Sequence, residues 1–263
     1  MPYYLVYLIA IFCSALASAE IVVNSKVKIC DDVAEWPPFT YFKRVDKTKT
    51  AEVQGFSVDL IKTILTRNNI KYEIDLLPWK RCLHEVEKGD QYHMILNATK
   101  NKERESAYYF SESIYQTHYF YFYSKKNHPT GLDIRVQSDL NNYKIGGIHG
   151  YAYSALTELD KNKMSRTVDY PSLLKMLYAG HIEVFAEDFE AIAGMSEIGV
   201  YNFMNDPQLG MAVLPDTEDN KFYMIFTKRN PLGQELRLLV NKELMRLQKS
   251  GELRKMLSNY LRP

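Results

Sequence analysis

The feature that most constrains this chain is a regular alternation of short apolar runs with helix-period segments, starting at residue 27. Val27 to Cys30 (VKIC) reads as a short buried strand, and GFSVDLIKTILTRNNI behind it sets Phe56, Leu60, Ile61, Ile64 and Leu65 on one helical stripe. Lys71 to Leu77 alternates as a strand does, Trp79 to Lys88 follows Pro78 as a helix, and His93 to Leu96 is another apolar strand. A βαβαβ order predicts a parallel, doubly wound sheet, because each crossover needs a helix to carry the chain back. Such a sheet presents ligands at the carboxyl ends of its strands.

An aromatic strand from His118 to Tyr123 then leads through the polar KKNHPTG turn into a second series. Its expected parts are a strand Lys144 to Ile148, a helix after Gly150, a strand Thr167 to Asp169, a helix Ser172 to Ala179, a strand Ile182 to Ala186 and a helix from Asp188. Pro215 to Asn220 reads as a polar linker and Phe222 to Thr227 as a strand. A long helix starts at Asn230, with the asparagine as N-cap and Pro231 at the first helical position. Gly251 ends it, and a short helix from Glu252 to Tyr260 closes the chain. At 263 residues, 46% of them apolar, the chain has material for one large or two smaller cores. With 33 basic against 32 acidic residues interspersed, it offers no electrostatic footprint for nucleic acid or an anionic membrane.

The N-terminus, MPYYLVYLIAIFCSALASAE, carries an apolar run from Leu5 to Leu16 and then Ala17-Ser18-Ala19, the small-residue pattern that precedes signal cleavage. The run is shorter than the about 20 residues a spanning helix needs. Export with cleavage after Ala19 is the expectation, although the n-region holds no Lys or Arg; an uncleaved anchor is the alternative. Cys30 and Cys82 then remain in an oxidising compartment, as a disulfide or as two buried thiols. The six histidines show no metal spacing, GGIHG from Gly146 to Gly150 lacks a dinucleotide fingerprint, and there is no Gly-x-Ser-x-Gly elbow. No metal or cofactor is expected.

Several segments, in order, carry a resemblance: Trp36-Pro-Pro-Phe39, Gly55-Phe56-x-x-Asp59-Leu60, Pro78-Trp79, Thr99 through Glu103-Arg104 to Phe110-Ser111 and Tyr115, Gly180 followed by Asp188, and Val240-Asn241-Lys242-x-Leu244 with Gly251. From about Lys26 to the C-terminus this series resembles the periplasmic solute-binding protein family 3, the amino-acid-binding receptors of ABC transporters. The resemblance implies a two-lobed Venus flytrap fold, each lobe an α/β doubly wound sheet with flanking helices, joined by two crossing hinge strands. The expected division is a signal peptide over 1–19, lobe one over 20–123, lobe two over 124–215 and a return to lobe one over 216–263.

The resemblance also implies roles. Arg104 would fork onto a ligand α-carboxylate, a geometry suited to guanidinium. Thr99 would support the same carboxylate and Asp188 would receive the α-ammonium group. Trp36 and Phe56 would form side-chain walls, and Gly150 would let backbone amides approach. Three departures bear on ligand identity: Asn97 and Asn101 stand where the family favours Gly and Thr, and Tyr151 follows Gly150 in place of Thr or Ser. Glu183 at a usual Asp position is a milder one. Each role has a structural alternative. Arginines often form surface ion pairs, Asp188 is a natural N-cap, and large apolar residues usually mean core, the expectation for Trp79. Glu187 beside Asp188 is not expected to form a catalytic pair, since strand neighbours point to opposite sides.

The expected protein is therefore a monomeric, periplasmic, non-enzymatic binding protein for an amino acid or similar zwitterion, serving a membrane permease. A stand-alone sensor of the same fold with a different ligand is the second reading, and a cyclohexadienyl dehydratase-like enzyme the third.

Overall fold

The computed structural model describes residues 26–261; the expected signal peptide lies outside the described residues. The first sheet draws on both ends of that span. Its strands are β1 (Val27–Asp32), β4 (Tyr72–Leu77), β5 (Met94–Ala98), β6 (Tyr108–Thr117) and β12 (Asn220–Thr227), in the order β4-β1-β5-β12-β6. Strand β1 is parallel to both neighbours, in register from Val27 opposite Tyr72 to Asp32 opposite Leu77, whereas β12 runs antiparallel to β5 and β6. The crossover helices are α1 (Phe56–Arg67) and α2 (Trp79–Lys88).

The second sheet holds β7 (Tyr119–Ser124), β8 (Ile145–Ile148), β9 (Ser165–Thr167), β10 (Val184–Asp188) and β11 (Leu209–Val213), in the order β11-β7-β10-β8-β9. Helices α4 (Tyr170–Tyr178) and α5 (Phe189–Glu197) flank it, while a one-turn helix α3 (Lys102–Ala107) belongs to the first lobe. The C-terminal α6 (Pro231–Lys249) returns to the first sheet, and α7 (Glu252–Ser258) packs on α6 and α1. Asn230 caps α6 as its sequence predicts, its side chain accepting from the Leu232 amide. Leu232, Leu236, Val240, Leu244 and Leu247 of that helix are buried.

The lobes join at two places. One is His118, the single residue between β6 and β7, and the other is the segment between β11 and β12. The expected boundary at residue 123 put the aromatic strand in the first lobe. In the structure β7 pairs antiparallel with both β10 and β11, so the crossing falls at His118. Other elements also differ from the sequence reading. A hairpin of β2 (Tyr41–Val45) and β3 (Thr48–Gln54) rises ahead of α1, from a stretch too polar to show a period. Strand β11 forms from Leu209–Val213, a segment with no alternation to mark it.

The helix expected after Gly150 is absent, and residues 151–160 run as turns. Tyr153 takes a left-handed backbone there, φ 49°, which a continuing helix cannot accommodate. Its hydroxyl accepts from the Ile148 amide at 2.7 Å, folding the segment back over the end of β8. Gly147 makes room for that ring, since a Cβ at this position would lie 2.6 Å from the Tyr153 hydroxyl.

Cys30 in β1 and Cys82 in α2 form a disulfide, with Cα atoms 5.8 Å apart. It bolts β1 to the helix behind it, and both cysteines are fully buried. A link across 52 residues removes loop entropy from the unfolded chain. Reduction, or the Cys30→Ala/Cys82→Ala pair, is expected to lower unfolding stability by about 2–4 kcal/mol; denaturant melts with and without reductant measure it, and coincident curves would refute it.

Candidate functional site

The carboxyl ends of β1, β5 and β10 meet the loop after β8 between the lobes, around a cavity of about 470 Å³ that includes space continuous with solvent. From the first lobe it is lined by Asp31, Asp32, Trp36, Trp79, Asn97, Thr99 and Arg104, and from the second by Tyr151, Tyr153, Glu187 and Asp188. Asn220 and Phe222 of β12 complete the floor beside the hinge.

Arg104 reaches the cavity because α3 is short and firmly started. The Asn101 side chain caps it by accepting from the Arg104 amide at 2.7 Å, so one departure from the resembled pattern does a structural task. The guanidinium donates to the Thr99 carbonyl and hydroxyl, both at 3.0 Å, and to the Gly150 carbonyl at 3.4 Å. It lies beside the Trp79 ring, 5.3 Å from its centroid. Trp79 Nε1 donates to the same Gly150 carbonyl at 3.1 Å. A backbone oxygen of the second lobe is thus held by two side chains of the first. Gly150 has φ 82°, and a Cβ there would come within 2.9 Å of the Trp79 ring, so only glycine lets this loop come so near.

The carboxylates are fixed by neutral donors. Asp31 accepts from the Asp32 amide at 2.9 Å and from Asn97 Nδ2 at 2.5 Å. Asn97 also donates to Thr40 and accepts from Ser57 and Tyr115, which uses its amide fully within the first lobe. Asp32 accepts from the Ala34 amide at 3.0 Å and, across the cleft, from the Tyr151 hydroxyl at 3.3 Å. Glu187 accepts from the hydroxyls of Tyr153 at 2.5 Å and Tyr170 at 3.3 Å. Asp188 occupies the N-cap position of α5 without capping it. Its carboxylate turns instead to the Thr117 hydroxyl at 2.5 Å and to Asn220 Nδ2 at 3.1 and 3.2 Å, one group from each hinge strand.

Burial governs the electrostatics. Asp31, Asp32, Glu187 and Asp188 are 1, 6, 1 and 3% exposed, and Arg104 is 6% exposed. Among the described residues none of the five makes a salt bridge; their partners are the neutral groups just named. Loss of water pushes the acids up, Asp31 to about 7, Asp32 to about 6, Glu187 to about 8 and Asp188 to about 7. Desolvation likewise brings Arg104 down to about 10. The cavity thus holds one cation and four acids that all lack a charged partner. No group of residues among those described is arranged to hold a metal ion.

Of the residues singled out from sequence, Arg104, Thr99, Asp188, Trp36, Asn97 and Tyr151 all line the cavity, and Gly150 contributes its carbonyl at the edge. Phe56 does not. It is fully buried edge-on against Phe39 and Tyr115, because the first turn of α1 points into the core. Trp79 is buried in the core beside Cys30 and Cys82, as expected, and in addition turns its indole N–H to the cleft. Glu187 and Asp188 both reach the cavity although strand neighbours alternate, since β10 ends at Asp188 and its pleat ends with it. Asp31, Asp32, Tyr153 and Asn220 were not foreseen. An Asp-Asp pair closing an apolar strand in a βαβ unit was the available signal.

Comparison with known proteins adds to this geometry. The family model of the bacterial extracellular solute-binding proteins, family 3, matches residues 29–263. A probable histidine-binding protein of Neisseria gonorrhoeae is 26% identical over 236 residues, 87% of this chain and 81% of that protein. An amino acid ABC transporter substrate-binding protein of Streptococcus pneumoniae, solved with L-arginine, superposes with a TM-score of 0.72 at 21% identity, covering 92% of this chain and 97% of that one. The arginine-, lysine-, histidine-binding protein of Geobacillus stearothermophilus gives 0.71 at 18% identity, covering 90% and 95%. These structural likenesses establish the two-lobed fold.

The raised acids predict the sign of a pH effect. Between about pH 4 and 8 the folded protein binds more protons at these sites than the unfolded chain, so stability contributed there falls as pH rises through that window. Glu187→Gln, which mimics the protonated acid, is expected to lose less stability between pH 5 and pH 8 than the wild type, by about 1 kcal/mol or more. Denaturant unfolding of the ligand-free proteins at both pH values checks this; parallel losses would refute it.

Proposed function

The chain belongs to the bacterial extracellular solute-binding proteins, family 3, and on that premise we propose that it captures an amino acid or similar small zwitterion between its lobes and delivers it to an ABC-type permease. The observation that carries the reading is Arg104, a buried guanidinium in the cleft whose partners are all neutral, facing a buried carboxylate, Asp188, on the opposite lobe. A desolvated cation without a counter-charge is stabilised by an anion that arrives with the ligand. In this reading the α-carboxylate takes the fork of Arg104 with support from Thr99, displacing the Gly150 carbonyl from the guanidinium. The α-ammonium group goes to Asp188, and Trp36 and Tyr151 wall the side chain.

Because the two charges sit on different lobes, a zwitterion favours the closed arrangement over the open one, and closure is what a membrane partner would recognise. The reading needs no chemistry on the ligand. It places the mature protein in the periplasm, with the leader cleaved after Ala19, in keeping with an extracellular solute-binding family. One observation favours the sensor reading with a different ligand: Tyr151 projects from the second lobe to Asp32 of the first and fills space that a ligand side chain would use.

Arg104→Ala is expected to cost about 2–5 kcal/mol of binding free energy for the cognate amino acid, because the ligand carboxylate would be buried without its partner. Titration calorimetry with the amino acids that raise the melting temperature of the wild type tests it, with unfolding of the ligand-free variant as the check on folding. Unchanged affinity in a folded variant would falsify the assignment.

A further inference from the structure

The pivot between the lobes carries a titratable group that lies outside the cleft. His118 is the one residue between β6 and β7, and it grips the second lobe in three ways. Its carbonyl accepts from the Phe189 amide at 2.8 Å, its own amide donates to Glu190 Oε2 at 3.0 Å, and its ring Nδ1 lies 2.6 Å from Glu190 Oε1. Phe189 and Glu190 stand in the first turn of α5, so the imidazole travels with the second lobe. The other ring nitrogen looks the opposite way. Nε2 lies 3.6 Å from Asp219 Oδ1, in the second crossing segment. Asp219 is tied to the first lobe: its Oδ2 accepts from Gln116 Nε2 of β6 at 2.6 Å, and the next residue, Asn220, opens β12. The contact between imidazole and Asp219 therefore spans the pivot, whereas the bond to Glu190 is internal to one lobe. Rotation of the lobes changes the first and leaves the second.

The protons on the ring decide what the spanning contact is worth. A neutral imidazole has one N–H, and the short contact to Glu190 places it on Nδ1. Nε2 then turns a bare lone pair toward a carboxylate. A second proton converts that repulsion into an ion pair. The charged groups that face the ring are Glu190 from α5, Asp219 from the segment ahead of β12 and Asp188 from β10, all of them acids. They hold His118 above its ordinary value, the Glu190 hydrogen bond most of all, against the opposing effect of partial burial.

We propose that protonation of His118 latches the hinge: the imidazolium joins Asp219 across the pivot and favours the arrangement in which the lobes touch. In that arrangement Trp79 donates to the Gly150 carbonyl and Tyr151 to Asp32. The latch is independent of what the cleft holds. A group that binds its proton more tightly in one arrangement stabilises that arrangement at low pH, and the effect is lost as pH rises through its titration. The His118 side chain is 56% exposed, so the ion pair is a modest one.

Spin labels on Lys102→Cys in the first lobe and Val168→Cys in the second, both exposed positions, report the interlobe distance by pulsed electron spin resonance in the ligand-free chain from Glu20 to Pro263. Cys30 and Cys82 are joined and buried, and take no label. At about pH 5.5 the ratio of near to far arrangements is expected to be about 2- to 5-fold higher with His118 than in His118→Gln. By about pH 9 the two proteins are expected to coincide. The acids of the cleft titrate in both, so the difference between the two proteins isolates the latch. Asp219→Asn, which keeps the Glu190 bond, is expected to lose the same pH-dependent excess, with melting temperatures confirming that each variant is folded. Coincident distance distributions at both pH values would overturn the proposal, as would an equal difference at both or an excess undiminished in Asp219→Asn.

Discussion

Charge removed from water without a partner sets the terms for this molecule. A carboxylate or guanidinium placed in a protein interior loses hydration worth many kilocalories, and proteins answer with an opposite charge, a set of hydrogen bonds or a shifted protonation state. Here one arginine and four acids are brought to the seam of two lobes, and the fold supplies only the second and third remedies. The first is left to whatever enters. The donors are supplied with economy: strand ends and capped turns provide the backbone amides, and tyrosine, threonine and asparagine side chains provide the rest.

The scaffold makes such a seam possible because parallel strands end together. Strands β1, β5 and β10 finish at the cleft, so Asp31, Asp32, Asn97, Glu187 and Asp188 arrive from two sheets at one place. Behind β1 the Cys30–Cys82 disulfide fixes α2, and with it Trp79, whose indole meets Gly150 of the facing lobe. The rigid parts therefore stand immediately behind the groups that must be placed most accurately.

Much of this was legible in the sequence, and the misses have physical reasons. The β–α alternation showed because each element buries one face and so repeats its apolar residues at a fixed period. Arg104 and Thr99 were legible through their spacing to Phe110-Ser111 in a recognisable order of segments. The hairpin β2–β3 escaped because its residues are half-exposed and polar, so no period was written into it. Phe56 was misplaced because size and apolarity report burial but not which side of a helix start faces a cleft; Trp79, buried as expected, also turns its indole N–H to that cleft. The segment after Gly150 misled because a left-handed Tyr153 is a tertiary outcome, stabilised by the glycine beneath its ring rather than by local preference. Asp31 and Asp32 went unread because a pair of aspartates after a strand is also what an ordinary turn looks like.

The carboxylate of Asp188 holds Thr117 at the end of β6 and Asn220 at the start of β12, the two points where the chain passes between lobes. It is therefore a bearing as well as a charge. A positive group that draws on this carboxylate loads both pivots at once, and no relay through the sheets is needed to connect them. In the proposed reading, occupancy and the angle between the lobes would be coupled at this one carboxylate, at the axle rather than at the rim.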